Sequence, residues 1–141
     1  MDSYYEGMVL RLRSRLSWVL CILGAIAMGI LSRVVHTGLA VFDKYLGDAL
    51  YATMVYGILR LSWRAEVSAV WAMLVMTAIE SFQLTMIPAH MLSSEHLIAR
   101  ICARLMGVEF SILDLLAYGV GIGCIYLVDS SQRKGERGSA V

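Results

Sequence analysis

VSAVWAMLVMTAIESFQLTMI, residues 67–87, decides the fold: it carries one charge, Glu80, and no proline before Pro88. As a helix rising about 1.5 Å per residue, it reaches roughly 30 Å, the thickness of bilayer hydrocarbon. Pro88 ends it, because the residue before a proline disfavours helical angles. On either side of this segment the same pattern recurs. Residues 110–128 hold one charge, Asp114, and residues 16–32 hold none. The latter come after Arg11, Arg13 and Arg15 and span about 25 Å, enough once Arg15 and Arg33 extend to the interfaces. Residues 45–63 complete the set, with Asp48 and Arg60 near the ends and Tyr45, Tyr51 and Trp63 suited to interfaces.

The whole chain agrees with this reading. Its 141 residues are 59% hydrophobic and 16% charged, with one proline, and mean hydropathy is +0.70. A soluble domain usually carries about 25% charge. We therefore expect an all-α integral membrane protein: a four-transmembrane-helix bundle with spans 16–32, 45–63, 67–87 and 110–128. Residues 96–106 set Leu97, Ile98, Ile101, Cys102, Leu105 and Met106 on one face and His96, Arg100 and Arg104 on the other. That pattern predicts a short interfacial helix between the third and fourth spans, with a packed loop helix as the alternative. Residues 1–128 form the membrane domain, and the Ser-, Gly- and charge-rich residues 129–141 a disordered tail. A cleavable leader, with Ala25-Ile26-Ala27 resembling a cleavage site, competes for the first segment, but the remainder of the chain is itself membrane-like.

Placing the N-terminus inside puts Arg11, Arg13, Arg15, Arg60, Arg64, Arg133, Lys134 and Arg137 in the cytoplasm, against Arg33, Lys44, Arg100 and Arg104 outside. This predicts a bacterial inner-membrane protein with both termini cytoplasmic. Gly119/Gly123 and Ala25/Gly29 are spaced for close helix packing. The net charge of +1 offers no basic field for nucleic acid. Cys21, Cys102 and Cys124 have neither disulfide nor metal spacing and read as small apolar groups.

The polar residues inside the spans need explaining. Asp48 and Asp114 lie about one turn from the outer starts of their helices. Glu80 sits about 20 Å from the inner surface, and Arg33 ends the first span on the outer side. Glu80 and Gln83 share a helix face, with Thr77 a turn below; Ser111, Asp114, Tyr118 and Gly121 line another. A carboxylate in hydrocarbon costs about 2.5–3.5 kcal/mol by insertion scales, so these groups should turn inward and find partners. The expected site is an outer pocket formed by Arg33, Asp48, Glu80, Gln83, Asp114 and Tyr118, with Arg100 and Arg104 above it. Each member also has a structural explanation. Asp48 can act as a helix cap, Asp114 as a first-turn acid favoured by the helix dipole, Glu80 as a partner for Arg33, and Tyr118 as packing. His90, Glu95 and His96 have no ligand spacing, and His36 is distant, so neither a metal nor a cofactor is expected. There is no glycine-rich phosphate loop, GxSxG or nucleophilic Cys–His pairing.

Glu80-x-x-Gln83, then Arg100 and Arg104, then Phe110, Asp114, Tyr118 and Gly121 resemble the core of VanZ-like small membrane proteins. Tyr118 stands where that pattern has asparagine. Gly29 to Arg33 and Gly47-Asp48-Ala49-Leu50-Tyr51 resemble a related bacterial family known only as a domain of unknown function. The resemblance implies a bacterial envelope protein, VanZ being linked to resistance against the glycopeptide teicoplanin.

The expected function is binding of a polar headgroup, of a membrane lipid or of a lipid-linked or glycan cell-envelope precursor. Arg33, Arg100 and Arg104 would attract phosphate, while the acids and Gln83 read hydroxyls or amides. The alternatives are proton- or cation-coupled transport through Glu80 and Asp114, which four helices would support as a homo-oligomer, and a membrane enzyme using either acid as general base on a lipid. No nucleophile or metal set in the sequence favours catalysis.

Overall fold

In the computed structural model the described residues are 2–35, 38 and 44–138, with side chains described for 14–32, 34–35, 38, 44–105 and 107–133. Among them the chain forms six α-helices and no strand: α1 (Asp2–Val34), α2 (Leu46–Arg60), α3 (Ala65–Gln83), α4 (Ile87–Leu92), α5 (Leu97–Met106) and α6 (Ile112–Gly138). Three segments are long and apolar enough to cross a membrane: Ser14–Ser32, Ala65–Gln83 and Ile112–Arg133.

The boundaries differ from the sequence expectation at three places. The second segment is a helix of 15 residues, about 22 Å long, and not the nineteen of 45–63. The Leu61 and Trp63 amides donate back to Gly57 and Leu59, and the chain turns before α3. Helix α3 stops at Gln83 rather than Ile87. The Thr85 hydroxyl donates to the Phe82 carbonyl at 2.7 Å, and Met86 adopts a left-handed φ of 60°. Pro88 opens α4 in its first turn, where its missing N–H would lack a helical partner anyway. Finally, α6 does not end at Val128. It runs to Gly138, so the expected disordered tail begins instead as helix, with Asp129 buried. Composition suggested disorder there because it does not register the partners that Asp129 and Arg133 find on α2 and α3.

Among the described residues α2, α3 and α6 pack against one another, α1 packs on α2, and α4 with α5 covers the end of α3. The core between them is Ala52, Tyr56, Ala72, Met76, Tyr118 and Ile122. Small residues set its spacing. A Cβ on Gly121 would overlap the Ala49 carbonyl oxygen and lie 2.9 Å from Ala49 Cα. Thr53 Oγ1 reinforces that contact, donating to the Ala49 carbonyl at 2.9 Å and lying 3.3 Å from the Gly121 carbonyl. Gly57 receives Ile22 of α1 in the same manner, 2.9 Å from where its Cβ would stand.

The expected glycine pair is displaced from this seam: no described atom comes within 4 Å of a Cβ added to Gly119 or Gly123. Two residues along a helix is a rotation of roughly 200°, so Gly119 and Gly123 face away from the seam that Gly121 occupies. Of the other pair, Ala25 is buried while Gly29 meets open space. On α5, Leu97, Ile98, Ile101 and Leu105 are exposed, and Ala103 is buried beneath them.

Candidate functional site

Glu80 occupies the last turn of α3, where its own helix dipole opposes a negative charge. The fold compensates from α6. Glu80 is fully buried, and its Oε1 accepts the Ser111 backbone N–H at 2.6 Å, at the amino end of α6. Its Oε2 accepts from the Tyr118 hydroxyl at 3.0 Å and from Gln83 Nε2 at 3.4 Å. A carboxylate at a helix N-terminus meets unsatisfied amides and the positive end of the dipole. Glu80 therefore joins α3 to α6 as a fully bonded acid.

In front of it lies a cavity of about 840 Å³ between α1 and α6, floored by α2 and closed at one end by the α5–α6 connection. Five of the expected site residues line it: Asp48, Gln83, Arg104, Asp114 and Tyr118. Glu80 stands behind Tyr118 and Gln83. Arg100 is exposed and outside the lining, and the Arg33 side chain lies outside the described residues.

Two further charged residues enter. Lys44 Nζ pairs with Asp114 Oδ1 at 3.2 Å, the acid nearly buried and the lysine about half exposed. Glu109 joins the lining beside Arg104. Burial pulls the Lys44 pKa down, but its bond to Asp114 and the charges of Asp114 and Asp48 outweigh this, for a net rise. Lys44, just before α2, and Asp48, in its first turn, are four apart, a spacing that signals a shared face on a helix; Lys44's contact with Asp114 required the fold. Gly107, at φ 82°, lets the chain turn where a Cβ would stand 3.0 Å from Gln83 Nε2.

The opposite ends of α2 and α6 hold a second polar cluster that sequence reasoning missed. Asp129 Oδ2 accepts from the Tyr56 hydroxyl at 2.6 Å and from Arg60 Nε at 2.7 Å. Arg133 lies 3.7 Å from Asp129 and 3.3 Å from Glu66 of α3. The Arg60 guanidinium also lies over the Trp18 ring, 5.7 Å from its centre, so α1 is fastened to the same point. This cluster is a clamp of ion pairs among α2, α3 and α6, joined to α1 through the Trp18 ring. Chemically the two ends therefore differ: one is closed and bonded, while the other presents cations, carboxylates, an amide and a phenol to an open volume. Among the described residues no group of three or more His, Cys, Asp or Glu side chains is placed to hold a metal ion.

No curated protein and no solved structure matches the chain. A family model does, covering residues 38–122, which run from just before α2 into the first half of α6 and leave out α1. That family is described as a protein of unknown function, and nothing links the chain to the VanZ-like proteins, whose role in resistance is accordingly not carried over. Because the match covers more than half of the chain, the chain belongs to the DUF2809 family.

Proposed function

We propose that this is a multi-pass protein of a bacterial inner membrane whose α1–α6 cavity binds the polar headgroup of a lipid or cell-envelope precursor. The observation that carries the reading is the meeting of Lys44, Asp48, Gln83, Arg104 and Asp114 around one volume of about 840 Å³. That size falls within the range of roughly 300–1,000 Å³ typical of small-ligand sites. Charged groups held at fixed positions beside apolar walls recognise a headgroup by charge-assisted hydrogen bonds.

The same reading has α2 as the fourth crossing. Lys44 and Asp114 sit at one end of the bundle, Arg60 and Asp129 at the other, with the apolar core between. The fifteen steps from Asp114 to Asp129 rise about 22 Å, a short hydrophobic length that a thinned bilayer and extended basic side chains accommodate. The end bearing Arg60 and Arg133 is then cytoplasmic, as are both termini. The exposed apolar residues of α5 are suited to rest on the outer membrane surface, with Arg100 and Arg104 towards headgroups.

The test is lipid retention. Full-length protein extracted in mild detergent, offered a total bacterial lipid extract and analysed by native mass spectrometry should carry bound lipid. An Arg104→Ala, Asp114→Asn variant with an unchanged elution profile should lose it. Equal retention by that variant, or none by the parent, would overturn the reading.

A further inference from the structure

We infer, resting on the headgroup-binding reading above, that Glu80 is the positioning residue of this site: it meets no ligand itself, and through the Ser111 amide it fixes the connector 107–111 that closes the cavity at one end.

That end wall is Arg104 and Leu105 of α5, followed by Gly107, Val108 and Glu109 of the connector. Its attachments are few. Among the described residues α4 and α5 pack on α3, and neither packs on α1, α2 or α6. The wall is therefore held largely by what α3 offers. The last turn of α3 offers two side chains, three residues apart and bonded to each other. Gln83 lies under Gly107, where a Cβ would stand 3.0 Å from Nε2 and where the φ of 82° is one that glycine adopts freely. Glu80 takes the other end of the connector, its Oε1 accepting the Ser111 N–H at 2.6 Å. Both ends of the connector are thus pinned to one helical turn.

Glu80 is suited to this role and not to ligand contact. It is fully buried and lies outside the cavity lining. Both its oxygens are engaged, Oε2 by the Tyr118 hydroxyl and by Gln83. Hydrogen bonds to a charged acceptor are among the stronger ones in proteins, and Tyr118 braces this acceptor from α6. Asp114 lies one turn after Ser111, its N–H donating to the Ser111 carbonyl at 3.1 Å. The same anchor therefore also sets where the Lys44–Asp114 pair stands. A looser anchor shifts Arg104, Glu109 and Asp114 relative to the rest of the lining without removing any of them, and small displacements of that kind are enough to spoil a binding site.

The experiment removes the bond without touching the site. Ser111→Pro deletes one N–H that precedes the helical ladder of α6, so no helical bond is lost, and Glu80, Gln83 and Tyr118 all remain. Full-length protein in mild detergent is titrated with a total bacterial lipid extract and read by native mass spectrometry. Amide hydrogen exchange of the same proteins is followed across residues 107–114 and, for comparison, across α2. Ser111→Pro should raise the half-saturating lipid concentration about tenfold, the lower end of what losing such a support costs at metal sites, and should speed exchange in the connector but not in α2. Ser111→Ala keeps the N–H and should match the parent. Glu80→Gln keeps an oxygen for that N–H, and the Tyr118 hydroxyl can turn to accept from the new amide, so its loss should be less than that of Ser111→Pro. Parent-like lipid binding by Ser111→Pro, or faster exchange spread through α2 as well, overturns the positioning role. Glu80→Gln binding as poorly as Ser111→Pro, with connector exchange unchanged, shows the charge acting on the ligand directly and overturns the inference while the headgroup reading stands. A parent that binds no lipid overturns both.

Discussion

Replacing Gly121 by alanine adds a single methyl group, and its effect tests the packing of α6 on α2 directly. The new Cβ would overlap the Ala49 carbonyl oxygen and stand 2.9 Å from Ala49 Cα and C. Ordinary contact begins near 3.4 Å, so the helices must part by at least half an ångström by the carbon distances alone. The obstacle is backbone and cannot swing aside. Overpacking of this kind costs about 1–3 kcal/mol. Separation also weakens the Thr53 link to the Gly121 carbonyl, worth about 0.5–1.5 kcal/mol. Against this, alanine gains about 0.8–1 kcal/mol in helix propensity over glycine. The net expectation is a loss of about 1–3 kcal/mol. Gly119→Ala and Gly123→Ala are the matched controls: they receive the same propensity gain and meet open space. Unfolding of the purified protein by graded SDS in mixed micelles, monitored by far-UV circular dichroism, should rank Gly121→Ala well below the parent, with both controls equal to it or above. A Gly121→Ala protein as stable as Gly119→Ala would refute the seam.

Other substitutions probe the two polar clusters. Glu80→Ala leaves the Tyr118 hydroxyl, the Ser111 amide and Gln83 without their shared acceptor, and should cost about 2–4 kcal/mol in the same unfolding assay; Glu80→Gln keeps an acceptor and should cost less than half as much. Asp129→Ala strands Arg60 beside Tyr56, a loss of about 3–5 kcal/mol for a buried pair broken on one side. Removal of residues 129–141 should be comparably damaging, whereas a dispensable tail would leave the unfolding midpoint unmoved. Reporter fusions at the C-terminus and between Ser94 and His96 should report opposite sides of the membrane if α6 crosses it.

Much of the architecture was readable without coordinates because it depends on local sums. A run of some twenty apolar residues forms a helix suited to lipid wherever it is placed, and three of the four expected segments are such helices. Spacing within one helix is equally local: Glu80 and Gln83 bond each other three residues apart, and Asp114 and Tyr118 are both buried on one side of α6. What one helix does to another is not local. The choice of Gly121 over Gly119 and Gly123 is a rotation of α6 about its axis, decided by whichever neighbour it packs against. Asp129 reads as tail because its partners Arg60 and Tyr56 lie 69 and 73 residues away. Glu80, at the unfavourable end of its own dipole, becomes tolerable only because α6 begins beside it. Hydropathy along the chain thus determined that these helices exist and suit a lipid surrounding. Which face each buries, and which charges meet, was decided by tertiary packing, because burial and pairing energies depend on atoms brought within a few ångströms from distant parts of the chain.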